Sequence, residues 1–127
     1  MLSWPPQDES TPLVTTGTVR RGRLPGWVIA AGPIDWSAST LLRRLLTTVI
    51  AEQPECVYVD LHEVRLLDAT GVGVLVHCQQ LAATASCGFQ VIGATGVVRR
   101  ILEITGMTPV LAGEAWESYI DSGRSVG

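Results

Sequence analysis

Two carboxylates, one hydroxyl and a Gly-x-Gly step fall within a single stretch, Cys56 to Gly73, which reads CVYVDLHEVRLLDATGVG. Val57, Val59 and Leu61 alternate with Tyr58 and Asp60, the pattern of a half-buried strand. Val64, Leu66 and Leu67 resume the apolar pattern after a short polar bend. At Asp68 the period of two gives way to 3.6. Asp68 and Thr70 carry short acceptor side chains suited to the exposed amides of a helix start. The spacing therefore predicts Thr70 at a helix N-terminus with its hydroxyl exposed. A phosphate placed there would meet free backbone N–H groups and the positive end of the helix dipole.

Competing chemistries are weaker. All nine basic residues are Arg, so a P-loop lysine, a Schiff-base lysine and a lysine general base are excluded together. No G-x-S-x-G elbow occurs. His62 falls in the bend after the strand, and His77 sits two helical turns, about 10 Å, beyond Thr70. Gly71-Val72-Gly73 lacks the third glycine and the lysine of a phosphate-cradling loop, and first-turn glycines equally serve close packing of a helix on a sheet. Asp35, Asp60 and Asp68 invite a metal reading, but helix capping by Asp68 and a corner at Asp35 account for them better. Cys56, Cys78 and Cys87 show no CxxC spacing, which argues against a zinc site or a disulfide framework. A βαβ return would bring Cys56 and Cys87 to one sheet edge, where a disulfide requires Cα atoms closer than about 7 Å. No catalytic residue, metal or cofactor is expected.

The elements that must position Thr70 follow from the flanking sequence. Met1 to Pro12, rich in proline and polar residues, reads as a loose arm, residues 13–121 as one domain and 122–127 as a tail. Leu13 to Arg20 and Gly26 to Gly32 have strand composition, with Trp27, Ile29 and Ala31 alternating against Val28 and Ala30. Gly22, Pro25 and Gly26 turn them into a hairpin. Ser37 or Ser39 can cap a helix running to about Glu52, whose stripe is Leu41, Leu42, Leu45, Leu46, Val49 and Ile50. Arg43, Arg44, Thr47 and Thr48 face away, and Pro54 ends it.

A second helix, Thr70 to about Ser86, places Gly71, Val74, Leu75, Cys78, Leu81, Ala82 and Ala85 on the core side. Val72 and Val76 point outward with Gln79, Gln80, Ala83 and Thr84. The two valines read either as a partner surface or as ordinary exposed apolar residues. Gly88 stops this helix and Phe89 to Ile92 is a strand. Thr95 can cap a helix with Val97, Val98, Ile101 and Leu102 inward, ended by Gly106. Pro109 to Leu111 would add a strand and Glu114 to Asp121 a short helix with Trp116, Tyr119 and Ile120 inward. Strands alternating with helices after an opening hairpin give an α/β (α+β) fold, a mixed sheet of four to five strands with helices mainly on one face.

The 127 residues, 46% of them hydrophobic, suit one domain with a genuine core, and a net charge of −3 argues against non-specific nucleic-acid binding. The longest apolar run is far short of a membrane span, and MLSWPPQDES lacks the regions of a signal peptide. A cytoplasmic protein is expected.

The stretch VDLHEVRLLDATGVGVLV closely resembles the signature of STAS domains, the module shared by anti-sigma factor antagonists and the cytoplasmic tails of sulfate transporters. In the antagonists a strand ends in Asp-Leu, followed by a second Asp, two small hydroxyl residues and Gly-Leu-Gly. Asp60-Leu61, Asp68 and Gly71-Val72-Gly73 match, and Thr70 stands at the phosphoacceptor. Ala69 replaces the first hydroxyl residue and Thr70 the usual Ser. Gly32 and Ile34-Asp35 match a further family corner, and GATGVVRRILEITGM resembles the next βα unit; the likeness spans roughly Leu13 to Asp121. It implies a single STAS-like domain, without catalysis, that binds an anti-sigma factor, a serine/threonine kinase of histidine-kinase-like fold, and frees the sigma factor. That partner would phosphorylate Thr70, and a separate phosphatase would reverse it. Partner contact is expected through Asp35, Asp68, Ala69, Gly71, Val72, Gly73 and Val76, and the resemblance implies that the acidic residues near Thr70 help position it for the kinase. The alternative is a STAS scaffold in another assembly, a stress-sensing complex or a lipid-transport machine, with Thr70 no switch. An enzyme working through His62 or Cys56 is the least favoured class.

Overall fold

The computed structural model describes residues 17–106. The elements are β1 (Thr18–Arg21), β2 (Trp27–Ile34), α1 (Trp36–Ala51), β3 (Cys56–Leu67), α2 (Ala69–Thr84), β4 (Gly88–Ile92) and α3 (Gly96–Ile104). They form one four-stranded sheet in the order β1-β2-β3-β4. β1 and β2 are an antiparallel hairpin, whereas β2–β3 and β3–β4 are parallel, each joined by a crossover helix. The sheet is mixed, as expected. The boundaries expected at 12 and 121, the strand at Pro109 to Leu111 and the helix at Glu114 to Asp121 lie outside the described residues.

Core residues of all three helices, among them Leu42, Leu46, Leu75, Cys78, Val98 and Leu102, join one cluster with Val28, Ala30, Val57, Val59, Leu61 and Val91. The alternate residues of the strands are buried too. Trp27, Ile29 and Ile92 form a second cluster, with Tyr58 stacked on Trp27 at a centroid distance of 4.2 Å. Apolar side chains on both faces are what a central parallel pair requires.

The polar bend expected after Leu61 does not exist, because β3 runs unbroken to Leu67 and His62 is an exposed strand residue. The register against β2 slips between Ile29 and Ala31 and again between Gly32 and Pro33, and β3 contributes the additional residue each time. Each bulge flips the inward phase. The buried set therefore passes from Val57, Val59 and Leu61 to Val64 and then to Leu67, leaving Leu66 51% exposed.

The helix ends also differ from expectation. Asp35, not Ser37 or Ser39, caps α1, its Oδ1 accepting from the amides of Ser37 at 3.0 Å and Ala38 at 3.1 Å. Leu41 is exposed rather than part of the stripe. Gln53, with φ of 56°, turns the chain before Pro54 is reached. Ser86, at φ of 60°, likewise ends α2 before Gly88, which already belongs to β4. The Cys87 amide donates to Ala82 and the Ser86 amide to Ala83, the paired bonds of a Schellman cap. In α3, Thr95 occupies the cap position without a side-chain bond, and Val97 is exposed. Gly106, at φ of 84°, closes that helix as expected.

Candidate functional site at the start of α2

β3 delivers Leu67 into the core, and the next residue, Asp68, caps α2. Its Oδ1 accepts from the Gly71 amide at 3.0 Å and from the Thr70 hydroxyl at 2.5 Å. The parallel neighbour β2 ends at the same level, where the Asp68 amide donates to the Ile34 carbonyl at 3.3 Å and Asp35 begins α1. Two carboxylate-capped helices thus start side by side from adjacent strand ends.

Thr70 is exposed in the first turn of α2, as expected. Its Oγ1 also lies 3.3 Å from the Oγ of Ser39, a buried residue on α1. The Thr70 hydrogen is committed to Asp68, so Ser39 is the donor and a hydroxyl chain runs Ser39 to Thr70 to Asp68. The Thr70 hydroxyl, then the Gly71 amide, hold the Asp68 carboxyl below the usual carboxylate range. Of the amides expected to meet a phosphate here, that of Gly71 already donates to the cap carboxylate.

Ala69 and Gly73 are exposed and Gly71 is buried. A Cβ on Gly71 would lie 2.5 Å from Leu67 Cδ1, so this glycine serves close packing of the helix on the sheet, whereas Gly73 has open space around it. Val72 and Val76 are not the outward pair expected, for both are half-buried and pack against the core cluster. α1 lies along a different side of α2, that of Thr70, Gly73, Val74 and His77.

Sequence reasoning missed four neighbours. Ser39 was read only as a cap. Arg43 was placed facing away, yet with Thr70, Gly73, Val74 and His77 it lines an open depression of about 330 Å³ between α1 and α2. Trp36, 72% exposed, and Leu66 put large apolar surface at the ends of β2 and β3. Trp36 directly follows the capping Asp35, a signal the sequence did offer.

Asp60 is buried, its Oδ1 accepting from the His62 amide at 2.8 Å, and so stands apart from the exposed Thr70. Among the described residues no group of His, Cys, Asp and Glu is arranged to hold a metal ion. Cys78 is a core residue, and burial pushes its thiol up. Cys56 pairs across the ladder with Gly88, next to Cys87, and all three cysteines are free thiols. No helix among the described residues is long and apolar enough to cross a membrane.

A family model described as "Mlab, STAS domain" matches residues 18–112. The chain belongs to the STAS domain family. The STAS fold is equally plain in solved structures. The anti-sigma factor antagonist SpoIIAA in its unphosphorylated form superposes with a TM-score of 0.66 at 16% identity, over 84% of this chain and 94% of that one. An anti-sigma factor antagonist from Mycobacterium paratuberculosis gives a TM-score of 0.67 at 22% identity, over 84% and 93%. The phosphorylated form of SpoIIAA, a Bacillus cell fate determinant, gives 0.63 at 16% identity, over 84% and 97%. No curated protein matches the chain.

Proposed function

We propose that this STAS domain is an anti-sigma factor antagonist, a binding module without catalysis of its own that is switched by phosphorylation of Thr70. The partner is an anti-sigma factor kinase of histidine-kinase-like fold, and its capture by the domain frees a sigma factor. The observation that carries the reading is the exposed Thr70 hydroxyl at the position of the family's phosphoacceptor, oriented by Asp68 and Ser39. The likeness to the antagonists SpoIIAA and that from Mycobacterium paratuberculosis supports it. The docking surface consists of Ala69, Thr70 and Gly73, with Asp35, Asp68, Gly71, Val72 and Val76 supporting it from below, and Trp36 and Leu66 extending it.

The chemistry is simple. ATP supplies a phosphoryl group, an Oγ1–P bond forms as the bond to ADP breaks, and the hydroxyl proton is lost to solvent. The modified surface then presents close to two negative charges where the partner must pack. A phosphatase restores it. Cytoplasmic residence accords with such a partner.

One observation favours a second reading. The Thr70 hydroxyl is engaged on both sides, which suits a structural threonine joining α1 to α2 in a STAS scaffold of another assembly. Affinity capture from a bacterial lysate, read by mass spectrometry, separates the two: an anti-sigma kinase supports the antagonist, and transporter or scaffold subunits the alternative.

A further inference from the structure

We propose that Arg43 receives the phosphoryl group carried by Thr70, drawing it away from the helix start and into the depression between α1 and α2. The proposal deepens, and rests on, the reading of Thr70 as a phosphoacceptor. Phosphorylation removes the hydrogen that Thr70 donates to Asp68 and sets a dianion beside a carboxylate whose Oδ1 lay 2.5 Å from Oγ1. The Gly71 amide is held by that same carboxylate. On the α1 side stands buried Ser39. The depression of about 330 Å³ beside Thr70 offers the phosphate room, widened at Gly73 because nothing lies within 4 Å of where its Cβ would be.

Arg43 is the cation placed to meet it. It follows Ser39 by one helical turn on α1, and Ser39 Oγ lies 3.3 Å from Thr70 Oγ1. Arg43 and Thr70 line the same depression, and the Arg43 charge also acts on the Cys78 thiol, two turns further along α2. Among the described residues Arg43 forms no ion pair, whereas Arg21 and Arg99 are paired with Glu52 and Glu103. A guanidinium fork also matches phosphate oxygens better than a point charge does.

Other charges nearby are weaker candidates. Arg44 lines a surface with Thr40, Thr47 and Thr48 that Arg43 also borders, but of the two only Arg43 lines the depression at Thr70. Asp35 is occupied by the α1 amides. His77 also lines the depression, two turns or about 10 Å of backbone rise beyond Thr70, so its variant is the control for a second basic group in the same site. Asp68 opposes the phosphate.

The test uses the full chain with phosphothreonine installed at position 70 by semisynthesis, so no kinase is involved. The second ionisation of the phosphate is followed by phosphorus NMR in the folded protein and in denaturant. A neighbouring cation favours the dianion, so the folded value should lie below the denatured one by about half a unit or more. Arg43→Gln should bring it back to the denatured value or above, with Asp68 unopposed, while Arg43→Lys retains part of the shift and His77→Gln leaves it in place. Arg43 is exposed, and thermal unfolding verifies that the variants fold. An Arg43→Gln protein that titrates like the wild type overturns the proposal. Failure to find a kinase for Thr70 would sink the antagonist reading and leave this titration unchanged.

Discussion

Ser39 Oγ stands 3.3 Å from Thr70 Oγ1, so the buried face of α1 touches the one hydroxyl of α2 on which the proposed switch turns. Phosphorylation would therefore alter the α1–α2 contact as well as the surface charge.

Gly71→Ala and Gly73→Ala should have opposite effects, although the two glycines lie in one motif. A methyl at Gly71 meets Leu67 Cδ1 at 2.5 Å and Ile34 Cγ2 at 3.3 Å, and overpacking of this kind costs about 1–3 kcal/mol. A methyl at Gly73 meets nothing within 4 Å and should raise helix stability by about 0.5–1 kcal/mol. Urea denaturation of the two variants checks the sign.

Asp68→Ala should cost about 0.5–2 kcal/mol through loss of the α2 cap. The cap also makes stability depend on pH. The Asp68 carboxyl titrates lower in the folded state than in the unfolded chain, chiefly because the Thr70 hydroxyl donates to it. Its contribution is thus complete above the unfolded carboxylate range, about pH 4, and fades as the pH falls through the lower folded value. Thermal melts between pH 6 and pH 2, roughly the span that brackets this titration, should show Asp68→Asn losing less stability on acidification than the wild type.

Ala69→Glu should weaken partner binding while leaving the fold intact, because Ala69 is exposed and an acidic residue suits the first turn of a helix. Val76→Asp should both weaken binding and destabilise, by about 1–3 kcal/mol, since Val76 is packed on the core. Titration calorimetry with the captured partner, paired with unfolding curves, distinguishes the two kinds of loss.

The change of period at Asp68 was legible because it reflects two local rules, strand alternation and acceptor side chains at a helix start. The start of α2 and the exposure of Thr70 followed from it, and the sheet and the other two described helices from the alternation and apolar stripes of their own segments. The bulges in β3 were not legible, because a strand that inserts a residue breaks alternation in the same way that a bend does. The helix ends at Gln53 and Ser86 misled for a related reason. Both residues adopt a backbone favoured by glycine, and the nearby Pro54 and Gly88 took the credit. Ser39 and Arg43 become neighbours of Thr70 only through the way α1 lies against α2, and Val72 and Val76 are half-buried by their packing on the core, long-range facts that neither helix encodes alone.

The decisive experiment incubates the domain with its captured kinase and ATP and locates any phosphate by mass spectrometry. One phosphate is expected, on Thr70, with none on Thr70→Ala, and the phosphorylated domain should bind the kinase at least tenfold more weakly, about 1.4 kcal/mol or more. Wild-type protein that stays unmodified while Thr70→Ser is phosphorylated would contradict it, and would make Thr70 a structural hydroxyl between two helices.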